Sequence, residues 1–346
     1  MIFRGQQTTA KRRFPSGHSQ AISWLGVLGV VFLTGAKDSS FQYSKPMHYA
    51  IEHSYEVNNC DIKGFNSIEV NVPIPQSWPE QSVEHIQYLG DPMTVLKDLQ
   101  GRGQVYRFFT DRKFPAPGQS IKGVVKYEVV LKDLSVDVQR LLHQKIVYKE
   151  SPEKQIHLKA EMGLEADAPE IMSLAAELQK RNPHPVAYAL AAYDWILKNI
   201  RYECPSPSHG ALECLHKKLG DCGPQAGLFV ALCRAGGLPA RPVAGCWAGT
   251  KNGWHCWAEF FVPEEGWVPV DPTVMTGKQS AGMFGRIDNN RLALVKSYNM
   301  KFGTTRGTCE SGFIQPGSWF YYVHGGVIGS KIDARFDLVG KKLENR

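Results

Sequence analysis

The chain has 346 residues, 43% of them hydrophobic, which is enough for one large domain or two medium ones. Its formal net charge is +7, but four basic residues and no acidic ones lie within residues 1–36. The surplus of three positive charges that remains is too small to indicate a nucleic-acid or strongly acidic partner.

Residues 1–36 are typical of a secretory signal peptide. A basic stretch at residues 11–13 precedes an apolar run at residues 21–33, which small residues then close. We therefore expect a secreted or periplasmic protein. The apolar run is shorter than the roughly 20 residues that span a bilayer. The alternative is an uncleaved leader, which would be the only route by which the protein associates with a membrane.

Residues 46–150 have the pattern of a β-sandwich domain. Apolar and polar residues alternate around residues 49–57, 68–74 and 121–131. This period of two is that of strands with one buried face, and turn residues such as Pro117-Gly118 separate the runs. We expect this domain to serve packing or substrate contact. A charged, irregular linker follows at residues 150–168.

The next segment, residues 168–330, predicts a second domain of helices followed by strands. Helices are expected at residues 169–180, 184–200 and 222–234. Strands are expected at residues 241–247, 254–262 and 267–271, with 291–298 and 318–323 continuing the same sheet. The third helix has clear ends, because Asp221 is a preferred N-cap residue and Gly236-Gly237 is a typical stop. The fold class is therefore α+β.

Eight cysteines in an exported chain suggest some disulfides. If Cys222 is a free thiol, the remaining number is odd, so at least one more cysteine is unpaired. Cys233 suits that role, because it lies in an apolar stretch in the middle of a helix. Cys204 and Cys214 could pair, although spacing alone does not determine connectivity.

Three residues in the second domain suit one reaction. Cys222 begins a helix, where unpaired N–H groups and the helix dipole favour a thiolate. His255 lies on a strand beside two tryptophans and suits a shielded general base. Asp271 ends the next strand, and a hairpin would return it to the side of His255. Separately, each has a simpler explanation: a buried cysteine, a core histidine and a turn aspartate before proline.

Together these residues indicate nucleophilic attack on an acyl carbon, and the surrounding motifs resemble the transglutaminase-like superfamily, a branch of the papain-like cysteine enzymes. The matching motifs are Gly220-Asp221-Cys222-Gly223, Gly237-Leu238-Pro239-Ala240-Arg241, His255-Cys256-Trp257-Ala258-Glu259 and Gly266-Trp267-Val268-Pro269-Val270-Asp271-Pro272-Thr273. The β-rich N-terminal region also looks like exported bacterial members of the group.

The resemblance implies a papain-like core, in which the helix bearing the cysteine packs on an antiparallel sheet. It also implies that Cys222, His255 and Asp271 are the catalytic triad. The expected reaction forms a thioester on a peptide or protein substrate. Water would complete a protease or amidase reaction, and an amine would complete a transglutaminase reaction; exported bacterial relatives favour hydrolysis. The backbone N–H of Cys222 would be one oxyanion donor, and Trp247 or a residue near Tyr202 the second.

Other classes of function find less support. No cysteine pair has the spacing of a structural zinc site, and no glycine-rich phosphate-binding loop is visible. We therefore expect no metal, no cofactor and no nucleic-acid partner. The main rival is a binding or scaffold protein that uses the same groove without turnover. Reactivity of the Cys222 thiol separates the two hypotheses.

Overall fold

The computed structural model describes residues 39–44, 46–60, 65–110, 116–274, 283–304, 307–312, 314–323 and 332–344. The leader predicted at residues 1–36 lies outside these residues. Among the helices that are described, none combines the length and apolar character needed to cross a membrane.

The N-terminal part of the described chain is almost entirely β-structure. Its strands are β1 Phe41–Tyr43, β2 Met47–Asn59, β3 Phe65–Ile74, β4 Gln81–Gly90, β5 Thr94–Lys97, β6 Gln104–Thr110, β7 Ser120–Leu131 and β8 Leu134–Val136. Five helices and two very short strands follow: α1 Val138–Leu142, α2 Pro152–Ile156, α3 Pro169–Arg181, α4 Pro185–Asn199, β9 Arg201–Tyr202, α5 Ala211–Lys217 and β10 Leu219–Gly220. Helix α6, Cys222–Ala235, comes next.

The remainder of the chain returns to β-structure. Its strands are β11 Ala240–Trp247, β12 Trp254–Val262, β13 Gly266–Asp271, β14 Met283–Phe284, β15 Arg286–Ile287, β16 Arg291–Val295, β17 Asn299–Thr304, β18 Gly307–Gly312, β19 Ser318–Val323 and β20 Ile332–Lys342.

Two four-stranded antiparallel sheets enclose the N-terminal core, with strand orders β20-β2-β7-β4 and β19-β3-β6-β5. The alternation seen in the sequence explains the packing. Ile51 and Val57 of β2, Val70 of β3, and Ile121 and Val125 of β7 are all buried in one apolar cluster. Burial of these side chains against one another is the main force that holds the two sheets together.

The C-terminal strands correct one expectation. Residues 318–323 were expected to extend the sheet of the second domain, but β19 pairs with β3, and β20 pairs with β2 along its whole length. Both strands thereby cover sheet edges that would otherwise expose unpaired N–H and C=O groups. The division into domains at 46–150 and 168–330 stays a prediction.

The second sheet has five strands, in the order β14-β13-β12-β11-β16, and α6 packs across β11 and β12. Every residue of α6 from Gln225 to Arg234 is buried. A helix that is apolar on all sides is stable only inside a core. The sheet and the surrounding helices supply that core, and they fix the direction in which the N-terminus of α6 points.

Helix α6 ends in the motif that its glycines predicted. The Leu238 N–H donates to the Cys233 carbonyl at 2.9 Å, and the Gly237 N–H donates to the Arg234 carbonyl at 3.0 Å. These two bonds form a Schellman motif, which requires a left-handed residue after the helix. Gly237 supplies it, with φ of 75°.

We expect Gly237→Val to destabilise the protein. A side chain with a Cβ in the left-handed region costs about 1–2 kcal/mol, so the melting temperature should fall by a few degrees. Differential scanning calorimetry of the variant would measure the change. Gly237→Asn is the matched control, because asparagine tolerates this conformation. An unchanged melting temperature for the valine variant would contradict the assignment of the helix end.

The seven cysteines whose side chains are described are all free thiols. Cys204 lies exposed in a loop, whereas Cys214 is buried on the inner face of α5, so the pairing considered from the sequence does not form. Cys233 is fully buried in the core, as its apolar surroundings predicted.

Candidate active site

Cys222 is the first residue of α6. The Asp221 side chain caps the helix by accepting from the Gly223 N–H at 3.1 Å. The first N–H groups of a helix lack partners within the helix and carry the positive end of its dipole, which favours a thiolate at this position. Cys222 is partly exposed and lines a cleft, so a substrate can reach its sulfur.

His255 and Asp271 meet across the β12–β13 hairpin. The pairing of Ala258 with Val270 places Asp271 opposite Trp257, and Trp257 shares a strand face with His255. The Asp271 carboxylate reaches this diagonal neighbour. The distance between His255 Nε2 and Asp271 Oδ2 is 2.7 Å, and both side chains are buried.

The imidazole also meets the thiol. The side chains of His255 and Cys222 are hydrogen-bonded to each other. Because Nε2 faces Asp271, Nδ1 is the ring nitrogen left for the sulfur. The structure therefore brings together the three residues that the sequence singled out, in the order thiol, imidazole and carboxylate.

Electrostatics favour the ionised form of this group. Burial lowers the pKa of His255, but the Asp271 carboxylate and the Cys222 thiolate outweigh it and raise that pKa to about 9. A hydrogen bond from Cys256 lowers the pKa of Cys222 well below its ordinary value; burial opposes this effect, and His255 adds to it. Between these two pKa values the thiolate and the imidazolium coexist.

Cys256 is a partner that the sequence reasoning missed. Its thiol and its backbone N–H both hydrogen-bond to the Cys222 sulfur. Burial raises the pKa of Cys256 well above its ordinary value, so Cys256 keeps its proton and acts as a donor. The Tyr298 hydroxyl lies beside Cys256 and donates to the Gly223 carbonyl at 2.9 Å, which ties this part of the site to the first turn of α6.

Two neighbours contact His255, one at its ring and one at its backbone. The Trp247 ring stacks on the His255 ring with centroids 4.6 Å apart and an angle of 12° between the planes. The Gln315 side-chain amide donates to the carbonyls of His255 and Gly245, each at 2.7 Å. Trp247 therefore covers the imidazole, while Tyr202 lines the cleft. The second oxyanion donor stays a prediction.

Asp271 has two further partners besides His255. The Thr273 N–H donates to Oδ1 at 3.1 Å, and Arg291 Nη2 donates to Oδ2 at 2.9 Å. Burial raises the pKa of Asp271, but His255 and Arg291 together bring it below its ordinary value. Every oxygen of this buried carboxylate is thus satisfied in the ionised state.

The cleft in front of Cys222 has a volume of about 520 Å³. Its lining is largely neutral and partly aromatic, and includes Met162, Tyr202, His209, Trp254, Tyr298 and Gln315. Such a surface suits an extended uncharged segment better than a nucleotide or a polyanion. In the part of the chain that the structure describes, no three His, Cys, Asp or Glu side chains are grouped so that they could hold a metal ion.

Residues 172–272, which contain all three of these side chains, match the family model of the transglutaminase-like superfamily. This segment is a transglutaminase-like domain. The predicted fold class, a papain-like core with a β-rich region before it, is confirmed by one solved structure. That protein, from Cytophaga hutchinsonii, is described provisionally as a cysteine protease. It shares the fold with a TM-score of 0.64 at 15% identity, and the match covers 88% of this chain and 94% of that one.

Curated proteins also match parts of the chain in sequence. A protein-glutamine gamma-glutamyltransferase of Pseudomonas aeruginosa is 31% identical over 121 residues, which are 30% of this chain and 18% of that protein. An uncharacterised protein of Haemophilus influenzae is 25% identical over 247 residues, which are 58% of this chain and 62% of that protein. The chain thus spans less than two thirds of either relative.

The residues that surround Cys222, His255 and Asp271 differ in how far the sequence could reveal them. Cys256 directly follows His255, but strand alternation assigns it to the opposite face, which hides its contact with Cys222. Arg291 and Gln315 lie 20 and 44 residues beyond Asp271, and no local pattern links them to it. Only the pairing of β16 with β11 brings Arg291 to the site.

Proposed function

We propose that the protein is a cysteine-dependent acyl-transfer enzyme that acts on amide bonds of peptides or proteins. Cys222 is the nucleophile, His255 the general base and acid, and Asp271 the group that orients the imidazole. The observation that supports this most strongly is the unbroken path of hydrogen bonds from thiol to imidazole to carboxylate at the edge of an accessible cleft.

The reaction follows from the charges. The Cys222 thiolate attacks the carbonyl carbon, and negative charge develops on the carbonyl oxygen near the N-terminus of α6, where the Cys222 N–H can stabilise it. The imidazolium then gives its proton to the leaving nitrogen, and a thioester remains. His255, now neutral, takes a proton from water or from an amine as that nucleophile attacks the thioester. Asp271 holds the ring in the orientation that both steps need.

The nucleophile that resolves the thioester decides between two activities. Water gives a protease or amidase, and an amine gives a transglutaminase. A relative with 31% identity is named as a protein-glutamine gamma-glutamyltransferase, which supports amine transfer as one outcome. An open cleft admits both nucleophiles. The substrate in either case is a peptide or protein, and the basic leader of residues 1–36 supports a secreted or periplasmic location, with membrane association only through an uncleaved leader.

The experiment that tests this function measures the ionisation of Cys222. At pH 6 an ordinary thiol of pKa about 8.5 is roughly 0.3% ionised, so a thiol that is largely ionised at this pH has a thiolate fraction about 300 times larger. Part of this advantage is lost, since thiolates of low pKa are weaker nucleophiles. We expect Cys222 to react with iodoacetamide at pH 6 at least ten times faster than Cys60 in the same sample.

Cys60 is a built-in control, because its side chain is exposed, it directly follows β2, and it does not line the cleft. Peptide mass spectrometry would quantify the two sites separately. Equal rates at pH 6 would favour the rival hypothesis, in which the groove binds a partner without turnover.

A further inference from the structure

Arg291 is a buried cation to which the reaction above assigns no role. It lies on β16, directly opposite Trp247 of β11, whose ring covers His255. Only 2% of its side chain is exposed. One guanidinium nitrogen, Nη2, donates to Asp271 Oδ2 at 2.9 Å, and the other, Nη1, pairs with Asp288. Such a group is costly to bury unless it is paired, so its position at Asp271 calls for an explanation.

Two of the three donors to Asp271 share one oxygen. Oδ2 accepts from His255 Nε2 and from Arg291 Nη2. While His255 is protonated, two cations face this carboxylate. Once His255 has released a proton, Arg291 is the cation that remains. Without it, each turnover would leave a buried carboxylate facing a neutral ring, a state that is strongly disfavoured in a medium of low polarity.

We propose that Arg291 is a positioning residue, which keeps Asp271 ionised and oriented when His255 gives up its proton and thereby eases that release. This inference rests on the proposed function of Cys222, His255 and Asp271. Arg291 touches neither the sulfur nor the cleft, so it acts through Asp271 alone.

The charged and titratable groups around His255 come from several elements. The Cys222 thiolate and the Asp221 carboxylate face it from the start of α6, and both favour the imidazolium. Asp271 does the same from β13. The Tyr193 hydroxyl of α4 lies near Asp271 and stays protonated, because burial raises its pKa to about 12. Among these groups, the positive charge of Arg291 on β16 disfavours the imidazolium. The Asp288 carboxylate, which is 39% exposed, partly compensates the charge of Arg291.

The test is the pH dependence of Cys222 alkylation by iodoacetate in Arg291→Gln. Iodoacetate is an anion, so the imidazolium attracts it, and alkylation slows when His255 loses its charge. In the wild type we expect the midpoint of this alkaline decline near pH 9, the value to which the pKa of His255 is raised. Removing the Arg291 cation from the far side of Asp271 stabilises the protonated form of His255 and so raises the pKa of that residue. The midpoint should therefore rise by roughly one pH unit.

Two variants control this result. Arg291→Lys retains the charge, so its midpoint should stay close to that of the wild type. Arg241→Gln removes an arginine that is 12% exposed and pairs with Glu259 at 2.7 Å in the same sheet, but that forms no ion pair with Asp271. It should lower the melting temperature and leave the midpoint unmoved. The pair therefore separates the charge of Arg291 from the general cost of losing a buried ion pair.

If Arg291→Gln does not fold, Asp288→Asn provides the second test. Its carboxylate is 39% exposed, so the change should be tolerated. Removing this anion leaves the charge of Arg291 less compensated, and the alkaline midpoint should move down. An unmoved midpoint in whichever of these two variants folds would overturn the role of Arg291. A wild type without fast alkylation at low pH would instead contradict the proposed function itself.

Discussion

Replacing Cys222 with alanine should abolish both amide hydrolysis and amine incorporation, with a loss in kcat of up to about 10⁶-fold. The neighbouring Cys256 cannot form the thioester in its place, since it is fully buried and its pKa is raised well above the ordinary value. The measurement uses a glutamine-containing protein with a labelled amine, and it follows both ammonia release and label incorporation. Label that appears in the wild-type reaction and not in the variant would identify transglutamination.

Cys204→Ala is the matched control for this experiment. Cys204 is an exposed thiol that lines the same cleft, near Tyr202. The proposed reaction does not use it, so its loss should change kcat by less than about threefold. Equal activity of wild type and Cys222→Ala, in a variant with an unchanged melting temperature, would remove the basis for the acyl-transfer mechanism.

Asp271→Asn should lower kcat by about 10²–10⁴-fold through its effect on His255. The carboxylate raises the pKa of His255, so a neutral amide lets that pKa fall and weakens the thiolate–imidazolium pair at neutral pH. Alkylation of Cys222 at pH 6 should slow in parallel. The substitution also leaves Arg291 buried beside an uncharged group, and breaking such a pair costs about 3–5 kcal/mol. Both effects can be measured, by alkylation kinetics and by thermal unfolding.

Glu259→Gln separates these two effects. Glu259 lies on the same strand and face as His255, is equally buried, and pairs with two cations, Arg241 and Lys296, each at 2.7 Å. We expect a loss of stability comparable to that of Asp271→Asn, with kcat per folded molecule close to the wild-type value. A loss of kcat as large as that of Asp271→Asn would show that Asp271 acts only by stabilising the fold.

Several parts of the fold could be predicted from the sequence because they depend on neighbouring residues. Asp221 as N-cap and Gly237 as a left-handed residue bound α6 where the sequence placed it. The lengths of β12 and β13 indicated that a hairpin would return Asp271 to His255, and the structure places these side chains 2.7 Å apart. The alternation in β2, β3 and β7 predicted which side chains are buried. The catalytic roles of Cys222, His255 and Asp271 stay predictions until the experiments above are done.

Other features depended on which strands become neighbours in space. Periodicity identified residues 318–323 as a strand but did not determine its partner, which proved to be β3. The sequence likewise did not reveal that β16 pairs with β11, which places Arg291 beside Asp271. It also did not reveal that the Gln315 amide binds the carbonyl of His255. Local propensity and capping act over a few residues, so they can be predicted from the sequence. The pairing of distant strands is decided by burial and hydrogen bonding in the whole fold, so only the tertiary structure determined which charges surround the candidate triad.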